Sequence, residues 1–197
     1  MTHSIEAERF QRAAMPHMDA VYNLARWLTG DVHEAEDITQ EAMLRAFRFF
    51  GSLQSGDPRA WLLKIVRNTY YTHYRRGRAR GQVDEFDEAL HSAPAVEATP
   101  ALGRVDNDPE HAASRAQQAR LLDAAIEGLP LEFREAIVLR ELEDLSYKEI
   151  AGVLDIPIGT VMSRISRARR MLAESIHGAN EEIHELQRSD RARSRVR

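Results

Sequence analysis

Residues 146–172, SYKEIAGVLDIPIGTVMSRISRARRML, decide the fold because they predict two short helices joined by a tight turn. Ser146 and Glu149 have the spacing of a capping box, in which each side chain bonds the backbone amide of the other residue. This box predicts a first helix that begins at Tyr147 and ends near Asp155. The side chains expected on its buried face are Ile150 and Val153.

The segment after this helix predicts a turn and a second helix. Pro157 lacks an amide donor and Gly159 tolerates unusual backbone angles, so we expect the second helix to begin at about Thr160. At 100° per residue, one stripe of it is apolar and the opposite face carries hydroxyl and cationic groups. The apolar stripe consists of Val161, Ile165, Ala168 and Leu172. The opposite face consists of Thr160, Ser163, Arg164, Arg167 and Arg170.

This pattern favours a helix-turn-helix that binds duplex DNA. A helix fits the major groove, where arginine pairs with guanine edges or phosphates and short hydroxyl groups approach the bases. The alternative is an exposed basic face on a helical hairpin that binds nothing.

The composition limits the class of protein. The chain has 197 residues, 43% of them hydrophobic, and a net charge of −4. No apolar run approaches the roughly 20 residues of a membrane helix, and the amino terminus lacks the apolar segment of a secretory signal. The absence of cysteine excludes disulfides and thiolate metal ligands. We therefore expect a soluble cytoplasmic protein with no direct membrane insertion.

Helical periodicity and charge divide the chain into two blocks. Apolar residues recur at helical spacing over residues 10–79 and again over residues 115–177. Residues 80–114 are acidic, contain prolines and glycines, and are expected to form a flexible linker. Residues 178–197 are expected to form a disordered charged tail. The predicted fold class is all-α, with two small helical domains joined by the linker.

The helix expected over residues 59–76 has one face that combines cations with an amide and an aromatic ring. The residues of that face are Lys64, Arg67, Asn68, Tyr71 and Arg75. Such a surface suits unpaired nucleic acid, because cations contact phosphates, rings stack on bases and amides bond base edges. This interpretation requires the face to lie outside any permanent core, and a solvated helix beside an acidic neighbour is the alternative. The other face is expected to pack, with Leu62, Leu63, Val66, Tyr70 and His73.

The helix expected over residues 33–50 predicts a docking surface for a protein partner. Its buried face should contain Ala35, Ile38, Ala42, Ala46 and Phe49. Its far face combines acidic or amide groups with large apolar ones, which suits a basic partner. The docking candidates on that face are Asp37, Gln40, Glu41, Leu44 and Phe47.

Together these segments resemble bacterial sigma factors of the sigma-70 family, in the small extracytoplasmic-function group that retains only regions 2 and 4. HEAEDITQEAMLRAF (33–47) and DPRAWLLKIVRNT with YYTHYRRGRAR (57–80) resemble region 2, and residues 129–172 resemble region 4. The order and spacing of the segments carry the resemblance. It implies a promoter-specificity subunit of RNA polymerase that catalyses no bond chemistry and needs no cofactor or metal. It also implies docking on the beta-prime clamp and beta flap of the core enzyme and control by an anti-sigma factor.

The resemblance also implies roles for the surfaces already identified. The docking candidates of residues 33–50 would bind the beta-prime clamp. The cationic face of residues 59–76 would contact the minus-10 element. The polar face of the second helix of the helix-turn-helix would contact the minus-35 duplex. In the loop between the first two surfaces, Leu53 and Gln54 would hold a base flipped from the non-template strand. Flipping costs a few kcal/mol, which a pocket must recover.

Two other classes of function stay open at this point. An autonomous helix-turn-helix regulator would bind a palindromic duplex without polymerase, although it would not require the cationic, aromatic face of residues 64–75. A nucleic-acid enzyme using His33, Glu34 and Asp37 is a weaker alternative, because only one of these offers nitrogen and acidic residues commonly stabilise helix starts.

Overall fold

The computed structural model describes residues 2–53, 56–79 and 109–194, and within these residues all regular structure is helical. The fold class is therefore all-α, as predicted. Short 3-10 turns occur at Met15–His17 and Phe50–Ser52, and a π-helical turn at Val138–Leu142 extends α6. The α-helices are α1 Thr2–Ala14, α2 Met18–Thr29, α3 Val32–Phe49, α4 Pro58–Ala79, α5 Pro109–Glu127, α6 Leu131–Ile137, α7 Tyr147–Leu154 and α8 Ile158–Ser194.

The first domain is a bundle in which α2, α3 and α4 pack on one another. Gly30 ends α2 with a left-handed φ of 72°, a conformation that glycine adopts without strain. Asp31 then caps α3, since its carboxylate accepts hydrogen bonds from the amides of His33 at 2.8 Å and Glu34 at 2.9 Å. These caps fix the angle between α2 and α3. The buried side chains include Val21, Leu24, Ile38, Leu62, Leu63 and Val66.

The second domain contains the predicted helix-turn-helix. Both halves of the capping box between Ser146 and Glu149 are present at the start of α7, and Asp155 ends the helix in a left-handed conformation. The second helix begins at Ile158, two residues earlier than predicted, because Pro157 is tolerated directly before the first helical turn. Burial of Val161, Ile165 and Ala168 fixes the rotation of α8 about its axis.

The two domains pack against each other, mainly through α4 against α7 and α2 against α6. The guanidinium of Arg134, in the middle of α6, donates a 3.2 Å hydrogen bond to the carbonyl of Trp27 near the end of α2. It also donates to the carbonyl of Leu129 at 3.0 Å and to that of Glu127, so one buried arginine joins both domains. The sequence predicted two domains but not this contact.

Several predicted boundaries and burials were wrong. The second helical block begins at Pro109 instead of 115, and α8 continues to Ser194, so the charged tail from 178 is helical to that point. Phe49 is 62% exposed because α3 ends there, and Phe50 turns inward in its place. His73 is exposed. The rest of the predicted linker lies outside the described residues.

Candidate nucleic-acid interface

The polar face of α8 lies on the surface of the second domain. Ser163, Arg167 and Arg170 are exposed, whereas Thr160 and Arg164 are partly buried. The Arg164 guanidinium lies 2.8 Å from the carboxylate of Glu132 on α6, so this arginine also links two helices of the domain. The Ser163 hydroxyl donates to the carbonyl of Thr160 at 2.9 Å and is left as an acceptor toward any ligand. The face therefore presents cations and a hydroxyl acceptor.

The turn before α8 is held by short-range hydrogen bonds. The Ser146 hydroxyl donates to the Glu149 carboxylate at 2.5 Å and the Ser146 amide donates to it at 2.8 Å, and these two bonds lower the pKa of the Glu149 carboxyl. The amide of Ile156 bonds the carbonyl of Ala151 at 3.2 Å, which closes the end of α7. These bonds fix the two ends of α7, and α7 packs on α8 through buried side chains that include Ile150 and Val161. This is the arrangement of a helix-turn-helix.

The cationic face of α4 is only partly open to solvent. Asn68 and Arg75 are exposed and Lys64 is half-buried. Arg67 and Tyr71, in contrast, are covered by α6 of the second domain. The Arg67 guanidinium lies over the Tyr71 ring, 4.7 Å from its centroid.

Glu135 covers Arg67 and Tyr71. Its carboxylate lies 3.1 Å from the Nε of Arg67 and accepts a hydrogen bond from the Tyr71 hydroxyl. Burial raises the pKa of Glu135 even though Arg67 opposes the shift. Burial together with the nearby Glu135 charge also raises the pKa of Tyr71, and it raises that of the neighbouring Tyr70 to about 12. The carboxylate thus occupies the position that a nucleic-acid phosphate or base edge would need.

A second ion pair joins the domains at the start of α4. Arg59 bonds Glu143, whose side chain is buried at the end of the π-helical turn. Sequence reasoning missed Arg134, Glu135 and Glu143 as contact residues. Their signal was available, since charged residues interrupt the apolar run of residues 129–145, LPLEFREAIVLRELEDL, at positions that helical periodicity makes inward.

The loop between α3 and α4 is anchored by aromatic side chains. Phe50 contacts Trp61 edge to face, with centroids 6.5 Å apart, and Phe10 of α1 packs on Phe50 at 5.4 Å. Leu53 is half-buried at the start of the loop. Gln54, the other residue predicted to hold a flipped base, lies outside the described residues.

The predicted docking surface on α3 is exposed. Asp37 and Gln40 face solvent, and Leu44 is 60% exposed although it is large and apolar. Glu41 forms an ion pair with Arg45 on the same helix. Phe47 is partly covered by Phe10, at 5.3 Å between ring centroids. The surface therefore combines acidic and apolar side chains, as expected.

An apolar groove of about 330 Å³ opens on the second domain between α5, α6 and α8. Two large apolar side chains on its rim, Leu122 and Leu142, are exposed. An ion pair between Arg169 and Glu141, at 2.6 Å, borders it. The groove lies on the side of α8 that carries Leu172, away from Arg167.

Neither a metal-binding cluster nor a membrane-spanning helix was found in the part of the chain that the structure describes. No three His, Asp or Glu side chains converge there as ligands, including around His33 and Asp37. None of the helices there is both long and apolar enough to cross a bilayer.

Comparisons with known proteins find the same family over both domains. The family model for sigma-70 region 2 matches residues 14–80, and that for sigma-70 region 4 matches residues 119–172. The ECF RNA polymerase sigma factor SigE of Mycolicibacterium smegmatis is 38% identical over 83% of this chain. The matched part of this chain spans 63% of the length of that relative, which is less than two thirds. The RNA polymerase sigma-H factor of Pseudomonas aeruginosa is 34% identical, over 85% of this chain and 86% of the relative.

Solved structures share the fold. The sigma factor RpoE of Bartonella quintana, solved in complex with the anti-sigma factor NepR, matches with a TM-score of 0.68 and 26% identity, over 86% of this chain and 98% of that one. CnrH, solved with the cytosolic domain of CnrY, matches with a TM-score of 0.56 at 22% identity, over 87% of this chain and 90% of that one.

Proposed function

The chain belongs to the extracytoplasmic-function group of the sigma-70 family, and we propose on this premise that it directs core RNA polymerase to specific promoters and initiates transcription. The observation that supports the proposal is that two exposed cationic faces of different chemistry lie on separate domains. The α8 face combines Ser163 with Arg167 for duplex DNA, and the α4 face combines Asn68 with Arg75 for unpaired DNA. Polymerase supplies the catalysis.

The two faces divide the promoter between them. Thr160, Ser163 and Arg164 approach base edges of the minus-35 duplex, with Arg167 beside them and Arg170 on phosphate. Lys64, Asn68 and Tyr71 contact the exposed strand of the minus-10 element, and Leu53 and Gln54 hold a flipped base.

Reading both elements at once requires the domains to separate. Elements centred about 25 base pairs apart lie about 85 Å apart on B-form DNA, whereas α4 and α6 are in contact here. The 29 residues from 80 to 108 between the helices reach roughly 100 Å when fully extended. We therefore propose that the closed arrangement is the form free of polymerase, and that Arg67 and Tyr71 become available when Glu135 moves away.

Polymerase is contacted by both domains. The acidic and apolar surface of α3, with Asp37, Gln40, Glu41, Leu44 and Phe47, docks on the beta-prime clamp. The groove beside Leu122 and Leu142 receives an apolar segment of the beta flap, because its lining is apolar and it lies away from the DNA face. Both surfaces are accessible in the closed form.

Regulation by an anti-sigma factor follows from the likeness to RpoE, which was solved with such a partner. An anti-sigma factor that covers α3 or the groove would block polymerase. The chain contains no cysteine, so any redox sensing by a thiol would have to reside in that partner. We place the protein in the cytoplasm, where polymerase and promoters are.

Transcription in vitro tests the proposal. Purified core polymerase is incubated with a promoter library, with and without this chain, and transcript starts are mapped. We expect the chain to bind core polymerase and to produce starts downstream of a shared pair of elements. Binding to palindromic duplexes without any affinity for core polymerase would instead show an autonomous regulator.

A further inference from the structure

Two large apolar side chains are exposed at the start of the recognition helix. Ile158 is 46% exposed and Met162 is 48% exposed. They lie one turn apart on α8 and so form one strip on its surface. The rotation of the helix is fixed by the fully buried Val161 and Ile165, so the strip is not a displaced part of the core.

The strip borders the face proposed to read duplex DNA. Ser163 follows Met162 in the chain, and Arg167 lies one turn further on the same exposed side. Gly159 lies between Ile158 and this face, and a Cβ added there would meet nothing within 4 Å. The start of α8 therefore presents apolar carbon, a hydroxyl acceptor and bare backbone together, with exposed cations behind them.

This combination matches the major-groove edge of an A·T pair. Thymine carries a methyl group that apolar side chains contact, and adenine presents an amino donor. The Ser163 hydroxyl hydrogen is engaged by the Thr160 carbonyl at 2.9 Å, so its oxygen accepts from such a donor. Cations at Arg167 and Arg170 favour DNA over an apolar protein segment as the occupant.

We propose that Met162, with Ile158 beside it, is a specificity-determining residue that packs on the methyl group of a thymine in the minus-35 duplex. This inference rests on the proposed function and adds a base preference to it. Because this contact is with the methyl group alone, it distinguishes thymine from uracil, which has the same hydrogen-bonding groups and lacks only the methyl.

The test uses the full chain and a minus-35 duplex chosen by selection from random duplexes with the chain and core polymerase. Each thymine is replaced in turn by deoxyuridine, and affinity is measured by fluorescence anisotropy. At one thymine the unmodified chain should lose about fourfold in affinity, the worth of one buried methyl group. Met162→Ala should lose a similar factor on the thymine duplex and nothing further on the uracil duplex.

Met15→Ala is the matched control, because Met15 is similarly exposed but lies in the first domain. It should retain the discrimination in full. If no thymine is distinguished from uracil, or if Met162→Ala discriminates as well as the unmodified chain, the inference is wrong. The proposed function would survive that result if Arg167→Ala still lowers the affinity for the selected duplex. If the chain and core polymerase select no duplex at all, the proposed function itself is wrong.

Discussion

The guanidinium of Arg67 on α4 lies 3.1 Å from the carboxylate of Glu135 on α6, and the two side chains are only 18% and 1% exposed. The pair joins a residue proposed to bind unpaired DNA to a residue of the other domain, 68 positions later. A carboxylate that neutralises a DNA-binding arginine competes directly with phosphate. If Arg67 binds the promoter as proposed, it must first release Glu135.

Glu135→Ala should shift the free chain toward an open form. Loss of one partner of a buried ion pair costs about 3–5 kcal/mol where the other charge stays buried, and Arg67 avoids part of that cost when the domains separate. We expect a roughly tenfold increase in affinity for a single-stranded minus-10 oligonucleotide in the absence of polymerase. Domain separation is measured between labels on cysteines introduced at Asp19 and Lys148, which is specific because the chain has no cysteine of its own.

Glu132→Ala is the matched control for this change. Glu132 is a carboxylate on the same helix that pairs with Arg164 within the second domain. Its removal should leave the label distance unchanged. Minus-35 duplex binding by Glu135→Ala reports whether its second domain is folded, and an unchanged distance in a folded Glu135→Ala chain would contradict the closed-form proposal.

Acidification should strengthen domain closure. Burial raises the pKa of Glu135 in the closed form, while Arg67 and Arg164 oppose the shift. The closed form thus binds this proton more tightly than an open form in which the carboxyl has its ordinary pKa. Protonation differs from Glu135→Ala because it removes the desolvation cost of the carboxylate charge but keeps oxygen atoms that can accept hydrogen bonds from Arg67, which alanine lacks. The free energy of domain closure becomes more favourable as the pH falls from the raised pKa toward the ordinary value of 4.5. Above and below that range, the titration of Glu135 gives closure no further pH dependence.

The label distance measured against pH tests this sign. Asp123 and Glu127 also have pKa values raised by burial, so the comparison is made with Glu135→Gln, which keeps them. The pH dependence that disappears in Glu135→Gln belongs to Glu135. Domains that separate on acidification through this group would show that the assigned direction is wrong.

The features that sequence predicted well are those set by neighbouring residues. The capping box at Ser146 and the turn at Pro157 depend on residues within one or two helical turns. The contact of Glu135 with Arg67 depends on how two separately folded domains meet, and helical periodicity holds no information on that. Periodicity could have indicated only that Glu135 points inward, and the sequence analysis did not single out this residue.

The error at Phe49 has a similar physical origin. Periodicity places Phe49 in phase with Ala42 and Ala46 if α3 continues regularly. The helix instead passes into a 3-10 turn at Phe50, whose tighter winding changes which side chain faces the core. The inward ring is then that of Phe50, which contacts Phe10 and Trp61 edge to face.

Asn68→Ala and Arg167→Ala should each impair a different step, promoter opening in the first variant and minus-35 duplex binding in the second. Loss of a base-edge contact by Asn68 should reduce promoter opening roughly tenfold with minus-35 duplex binding unchanged. Arg167→Ala should weaken duplex binding by about 1–3 kcal/mol and leave single-strand binding intact. Permanganate footprinting and duplex anisotropy measure the two steps, with Arg12→Ala on α1 as the control for general loss of charge. Equal losses in both assays would contradict the division of the promoter.

Leu44→Ala should weaken binding to core polymerase without unfolding the chain. The side chain is 60% exposed, so little of its burial contributes to the fold. Its burial in a polymerase interface would contribute about 1.5–3 kcal/mol, and its truncation should raise the Kd at least about tenfold. Ile5→Ala, at a similarly exposed apolar residue on α1, should leave the Kd unchanged. A loss of the same size in both variants would mean that α3 is not the specific docking surface.

Ser146→Ala should destabilise the second domain and duplex recognition together. The Ser146 hydroxyl accepts from the Glu149 amide at 3.3 Å, and alanine leaves that donor without its cap while the Ser146 amide bond to Glu149 survives. We expect a loss of about 1 kcal/mol in the free energy of unfolding, measured by urea denaturation. Because α7 holds α8 in place, Ser146→Ala should have a lower affinity for the minus-35 duplex than the unmodified chain when both are measured in urea near the midpoint of unfolding. The affinity for the minus-10 strand should be the same in both chains. Ser175→Ala, at an exposed serine within α8, should change neither quantity, because it removes no cap. A Ser146→Ala chain as stable as the unmodified one would show that the Glu149 side chain alone starts α7.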